Sequence, residues 1–170
     1  MDKKKGLPLG EVVLFGLLGA MTFVLKLAMA GLPNIEPVTL MMLVFGAVFG
    51  LKALYPAYVY VAMEILTFGL GTWNFNYFYI WAIPVVAGFL FRNTKGALAW
   101  ALVSGVYGLA FGALCAPVDV FIGGWSFAVT KWVSGIPFDV LHCAGNFAIA
   151  LIMFEPLRKL LEKLWGRMKR

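Results

Sequence analysis

Phe89-Leu90-Phe91-Arg92-Asn93-Thr94-Lys95-Gly96-Ala97-Leu98-Ala99-Trp100 decides the fold. A compact polar turn with two cations separates two apolar runs, 77 to 92 and 96 to 117, each near the ~20 residues that cross a hydrocarbon core. Working outward, the same alternation repeats. Leu32-Pro33-Asn34 closes a run from 10 to 31, Lys52 to Pro56 divides runs at 37 to 52 and 54 to 71, and Gly71 to Asn76 follows. Beyond Pro117 a longer connector, Val118 to Gly135, is expected to be partly helical and interfacial, and a last run covers 136 to 156. The expected fold is an all-α polytopic membrane protein, a bundle of six transmembrane helices. Residues 1–157 form the membrane domain and 158–170 a basic amphipathic cytoplasmic tail that lies on anionic lipid or meets a cytoplasmic partner.

Composition agrees. The 170 residues are 62% hydrophobic, 16% aromatic and 13% charged, too little polar surface to wrap a soluble domain. The cations are asymmetric: Lys3, Lys4, Lys5, Lys52, Arg92, Lys95 and six at the C-terminus share one side, leaving only Lys26 and Lys131 of the 14 for the other. Positive loops resist translocation, so both termini of a multi-pass cell membrane protein are expected in the cytoplasm. The net charge of +6 then reports topology, and no solvated basic face suggests nucleic acid. Met1 to Gly6 precede a run that lacks a small-residue cleavage site, so the first helix is expected to stay. Cys115 and Cys143 lie in apolar stretches, where packing is the common role.

On this topology the outer connectors hold most of the Asn, Trp and acidic residues. Trp73-Asn74-Phe75-Asn76-Tyr77-Phe78-Tyr79-Ile80-Trp81 combines flat rings with amides, which suits either a planar hydrogen-bonding ligand or an interfacial aromatic belt. Opening the last run, Asp139, His142 and Asn146 fall within about 60° of one another on a helix. Helix capping by Asp139 and packing by His142 are the structural alternatives, and one His with one Asp is too few ligands for a metal. Glu64 and Lys26 are intramembrane charges. Lys26 has the reach to snorkel outward, the preferred reading, or to pair with Glu64. Asn34 and Glu36 cap the second span or reach a ligand, capping being preferred. Gly16, Gly19 and Ala20, and the series Ala97, Ala101, Gly105, Gly108 and Gly112, allow close helix contact with a partner inside or outside the chain.

No phosphate-binding Gly-rich loop, no His-Glu-x-x-His and no acidic cluster for Mg²⁺ occurs, so neither ATP hydrolysis nor another enzyme activity is expected, and no cofactor. The chain resembles the substrate-binding S components of energy-coupling factor (ECF) transporters, the vitamin-uptake branch of the ABC transporters. The resemblance rests on size, six spans, Gly16 to Ala20, the segment Leu32 to Leu40, and Gly135-Ile136-Pro137-Phe138-Asp139-Val140-Leu141-His142 running on to Gly145-Asn146-Phe147. It implies capture of a vitamin-like molecule outside and docking on a transmembrane coupling protein with two cytoplasmic ATPases, followed by toppling and inward release. It also implies that Gly16, Gly19 and Ala20 meet the coupling protein, where the family shows Ala-x-x-x-Ala and this chain has Gly16-x-x-x-Ala20. The pocket is expected to use Trp73, Asn76, Tyr77, Trp125, Lys131, Asp139, His142 and Asn146, with Asn34 and Glu36 beneath or beside it. A flavin, a pyrimidine or pyridine vitamin, or a corrinoid or its benzimidazole precursor suits the rings, with a lean to the corrinoid group. The competing function is a proton-coupled secondary transporter using Glu64 or His142, against which stand small size and no evident inverted repeat.

Overall fold

The computed structural model describes residues 6–32 and 35–169, so Asn34 lies outside the described residues. It is all-α, with no strand among them: α1 (Leu9–Ala28), α2 (Val38–Phe49), a 3₁₀ turn (Gly50–Ala53), α3 (Leu54–Phe68), α4 (Thr72–Ile80), α5 (Ala82–Leu90) and α6 (Ala97–Met168).

Three helical stretches, not six, are long and apolar enough to cross a membrane: Leu9–Ala28, Val38–Phe68 and Ala97–Met168. The expected run 77 to 92 is divided at Trp81 into α4 and α5, of nine residues each. Each piece rises only ~14 Å, half a hydrocarbon core, so only the two end to end have the length to cross it. Tyr58 and Tyr107 donate their hydroxyls to the carbonyls of Phe78 and Ile80 (2.8 and 2.9 Å), tying the end of α4 to α3 and α6. The expected runs 37 to 52 and 54 to 71 are joined through the 3₁₀ turn, entered at Gly50 with φ +62°.

The expected stop at Pro117 does not occur. Helix continues through Pro117, Pro137 and Pro156, because a proline removes one backbone bond yet neighbouring elements can re-satisfy the opened turn. At this turn, where the Ala113 carbonyl loses its donor to Pro117, Tyr79 of α4 donates to the adjacent Leu114 carbonyl at 2.5 Å. The real interruption of α6 is Gly124, at φ +79° and ψ +179°, a conformation open to glycine. The two limbs fold back on each other: Trp100 stacks on Phe154 with centroids 4.0 Å apart, and Lys131 pairs with Asp119 at 2.6 Å.

Small residues seat that hairpin. A Cβ at Gly108 would lie 2.8 Å from the His142 carbonyl oxygen, and one at Gly105 3.4 Å from that of Cys143. The partner of this glycine series is therefore within the chain. Gly46 of α2 and Gly88 of α5 form a second close crossing. α2, apolar and buried almost throughout, is the core on which α5 and α6 pack, while α1 packs on α3. The outward side of α1 is apolar in turn, with Val12, Val13, Leu17, Met21 and Val24 all exposed. A structure that buries apolar residues and also displays them matches hydrocarbon on its outside.

Contacts mark two ends. At one, Glu11 meets Lys52 (2.6 Å), Arg158 donates to the carbonyls of Arg92 and Thr94, and Trp165 packs on Phe15 and Phe49. At the other, Lys26 meets Glu64, Glu36 meets His142, and Lys131 meets Asp119. Residues 158–168 prolong α6; they present Leu161 and Trp165 to the bundle and keep Lys159, Lys163 and Arg167 exposed.

Candidate functional site

At the second end, α4 and the two limbs of α6 surround a cavity of about 490 Å³, in the size range of small-molecule pockets. α4 contributes Trp73, Asn76 and Tyr77. The limb before Gly124 contributes Phe111, Gly112, Cys115 and Asp119, and the limb after it Lys131, Trp132, Phe138, Asp139 and His142. The spacing 111, 112, 115, 119 is one helical face, as is 131, 132, 135, 138, 139, 142, so two facing stripes of one hairpin form opposite walls.

Each polar group on the walls has a traceable position. Gly71 starts α4, its backbone N–H donating to Asn74 Oδ1 at 2.6 Å, and this turns Trp73, Asn76 and Tyr77 toward the hairpin. The Asn76 amide lies 3.0 Å from the Tyr79 hydroxyl oxygen, whose single proton goes to the Leu114 carbonyl. Tyr77 lies against Tyr60 and Trp81, with ring centroids 6.4 and 5.5 Å away. Asp139 is 6% exposed, and both its oxygens accept from the Gly112 backbone N–H, at 3.1 and 3.2 Å. Glycine makes this approach possible, since a Cβ at 112 would sit 2.5 Å from Asp139 Oδ2. Asp139 thus ties the limbs together and is not a helix cap, because the helix it stands on begins well before it.

His142 is buried beside Asp139. Its Nε2 is 3.3 Å from Glu36 Oε1, and the edge of its ring meets Phe111 with centroids 4.9 Å apart. Glu36 also accepts from the backbone N–H groups of Val38 and Thr39 and from the Thr39 hydroxyl (2.5, 3.2 and 2.7 Å). One carboxylate both caps α2 and holds the imidazole, so capping and site support are the same interaction.

The sequence candidates divide by position. Trp73, Asn76, Tyr77, Lys131, Asp139 and His142 line the cavity, and Glu36 stands behind His142. Trp125 does not belong to the walls: it follows the Gly124 break at the hairpin tip and is 77% exposed. Asn146 is one turn deeper than His142, buried, donating to the Ser104 carbonyl at 3.4 Å, and it joins the limbs without reaching the cavity. Phe111, Asp119 and Trp132 are wall residues that the sequence reading left out. Continuing the helix past Pro117 would have placed Asp119 four residues after Cys115, on the face of Phe111 and Gly112.

Lys26 does not snorkel. Its ammonium is 2.8 Å from both oxygens of Glu64, whose side chain is 2% exposed, and 5.1 Å from the Phe68 ring centre. Of the small residues on α1, Gly19 packs against α3, where a Cβ would lie 2.6 Å from the Pro56 carbonyl oxygen. It is thus unavailable to another protein. A Cβ at Gly16 would meet no atom within 4 Å, and Ala20 is only half-buried on the same side.

Compared with protein-family models, curated proteins and solved structures, the chain matches none.

Proposed function

We propose that this chain is the membrane-embedded substrate-binding subunit of an ECF-type uptake transporter, located in a prokaryotic cell membrane with both termini in the cytoplasm. The observation that carries the reading is the cavity of about 490 Å³, walled by rings and a few polar groups, at the bundle end opposite the clustered cations. Six passes are supported by the order of the end markers along the chain: Glu11, Lys26, Glu36, Lys52, Glu64, then Arg92 and Arg158 flanking the hairpin whose tip holds Asp119 and Lys131. Positive loops stay inside, which turns the cavity outward.

A cavity of this volume suits a one- or two-ring vitamin or the benzimidazole precursor of a corrinoid better than a whole corrinoid. Stacking on Trp73, Trp132 and Tyr77 would hold the ring, and Asp139, His142 and Asn76 would fix its polar edge. The open strip of α1 at Gly16 and Ala20 is the surface offered to a coupling protein, and two cytoplasmic ATPases would supply the energy. The Lys26–Glu64 pair speaks against Glu64 as a proton relay, because an ammonium already occupies both carboxylate oxygens.

Proteoliposomes test the proposal. The chain alone, under an imposed proton gradient, should accumulate no radiolabelled solute, whereas co-purified coupling and ATPase subunits should give ATP-dependent uptake. Gradient-driven accumulation by the chain alone would replace this reading with secondary transport.

A further inference from the structure

Resting on the small-molecule reading above, we infer that the cavity selects a planar ring compound presenting nitrogen-borne N–H donors or positive charge, and rejects ligands whose polar end is a carboxylate. The charges around the site carry this. Lys131 is the cationic side chain on the walls, and its ammonium is already engaged by Asp119 at 2.6 Å. Asp139 is 6% exposed, faces the cavity and pairs with no cation among the described residues; its one protein donor is the Gly112 N–H shared between its oxygens. A carboxylate has about four acceptor sites, so most of its capacity is open toward the ligand. A buried anion in that position is costly unless a donor or cation meets it.

His142 adds no free positive charge. Its Nε2 faces the Glu36 carboxylate at 3.3 Å, so a positive charge on the ring would already be paired there. Were the imidazole protonated, the carboxylates of Glu36, Asp119 and Asp139 would still outnumber the cations of Lys131 and His142. The rings point the same way, since the faces of Trp73, Trp132 and Tyr77 attract a flat cation and stack on a heterocycle. An incoming carboxylate would meet Asp139 and find the lysine occupied.

Isothermal titration calorimetry on the full chain in detergent tests this with four probes of similar ring size: benzamidine, 2-aminobenzimidazole, benzoate and benzimidazole-5-carboxylate. The two donor probes should bind at least tenfold more tightly than the two carboxylates, and Asp139→Asn should weaken the donors by tenfold or more. Lys131→Gln supplies a check that does not depend on Asp139, because Lys131 is 54% exposed and its removal frees Asp119. That variant should strengthen benzamidine binding, whereas at a site built for anions it would weaken every anionic ligand and leave benzamidine no tighter. Preference for the carboxylates, or loss of benzamidine affinity in Lys131→Gln, overturns the selectivity and leaves the small-molecule reading standing. Binding of none of the four by folded protein overturns the selectivity too, and the native mass spectrum of the purified protein then decides the small-molecule reading.

Discussion

Replacing Lys26 with Met should destabilise the protein far more than a surface charge deletion would. The Glu64 side chain is 2% exposed and both its oxygens lie 2.8 Å from the Lys26 ammonium, so the variant leaves a buried carboxylate without its cation. Breaking a buried pair from one side costs about 3–5 kcal/mol. At ~2–4 °C per kcal/mol for a chain of this length, the melting temperature should fall by roughly 6–20 °C. The double variant Lys26→Met/Glu64→Leu removes both charges and replaces them with apolar volume, which is often neutral or stabilising. It should melt at or above the parent, giving a coupling of at least ~3 kcal/mol in the double-mutant cycle. Intrinsic tryptophan fluorescence during thermal unfolding in detergent reads all four corners. Lys26→Met melting within a degree or two of the parent, or the double variant melting with the single one, would refute the buried pair and restore a snorkelling lysine.

Gly108→Val should push the limbs of α6 apart, because its Cβ would lie 2.8 Å from the His142 carbonyl oxygen; a loss of about 1–3 kcal/mol and weaker ligand binding are expected in melting and titration. Gly16→Leu, where a Cβ meets nothing, should leave melting and ligand binding unchanged while abolishing co-purification of the proposed coupling subunit. Tyr79→Phe removes the hydroxyl that donates to the Leu114 carbonyl, costing about 0.5–1.5 kcal/mol by the same melting assay. Trp165→Ala removes a ring packed on Phe15 and Phe49 and should expose residues 158–168 to limited proteolysis, with little effect at the distant cavity.

What was legible in the sequence was whatever depends on periodicity and charge. The cation-bearing turn at Arg92 to Gly96 ends a helix where expected, and the 139, 142, 146 spacing does place those side chains on one face of α6. Pro117 misled, since a proline's local cost is visible in sequence while the Tyr79 hydroxyl that ties this turn to α4 comes from 35 residues away. The same error hid Asp119 and set Trp125 among the pocket residues. Helix division at Trp81 was illegible for a similar reason, because the two tyrosine hydroxyls that hold the end of α4 come from α3 and α6. For Lys26, reach alone favours water, and only the fold brings Glu64 within 2.8 Å. The dual duty of Glu36 spans 106 positions, beyond any local pattern.

Native mass spectrometry of the detergent-purified protein, followed by denaturing extraction, tests the central claim most directly. One equivalent of a single ring-containing small molecule should accompany the parent protein and be lost from Trp132→Ala and Asp139→Asn, whose side chains line the cavity. A protein that is empty both as purified and after incubation with cell extract, or one whose adduct survives both substitutions undiminished, would contradict a substrate site between α4 and the α6 hairpin.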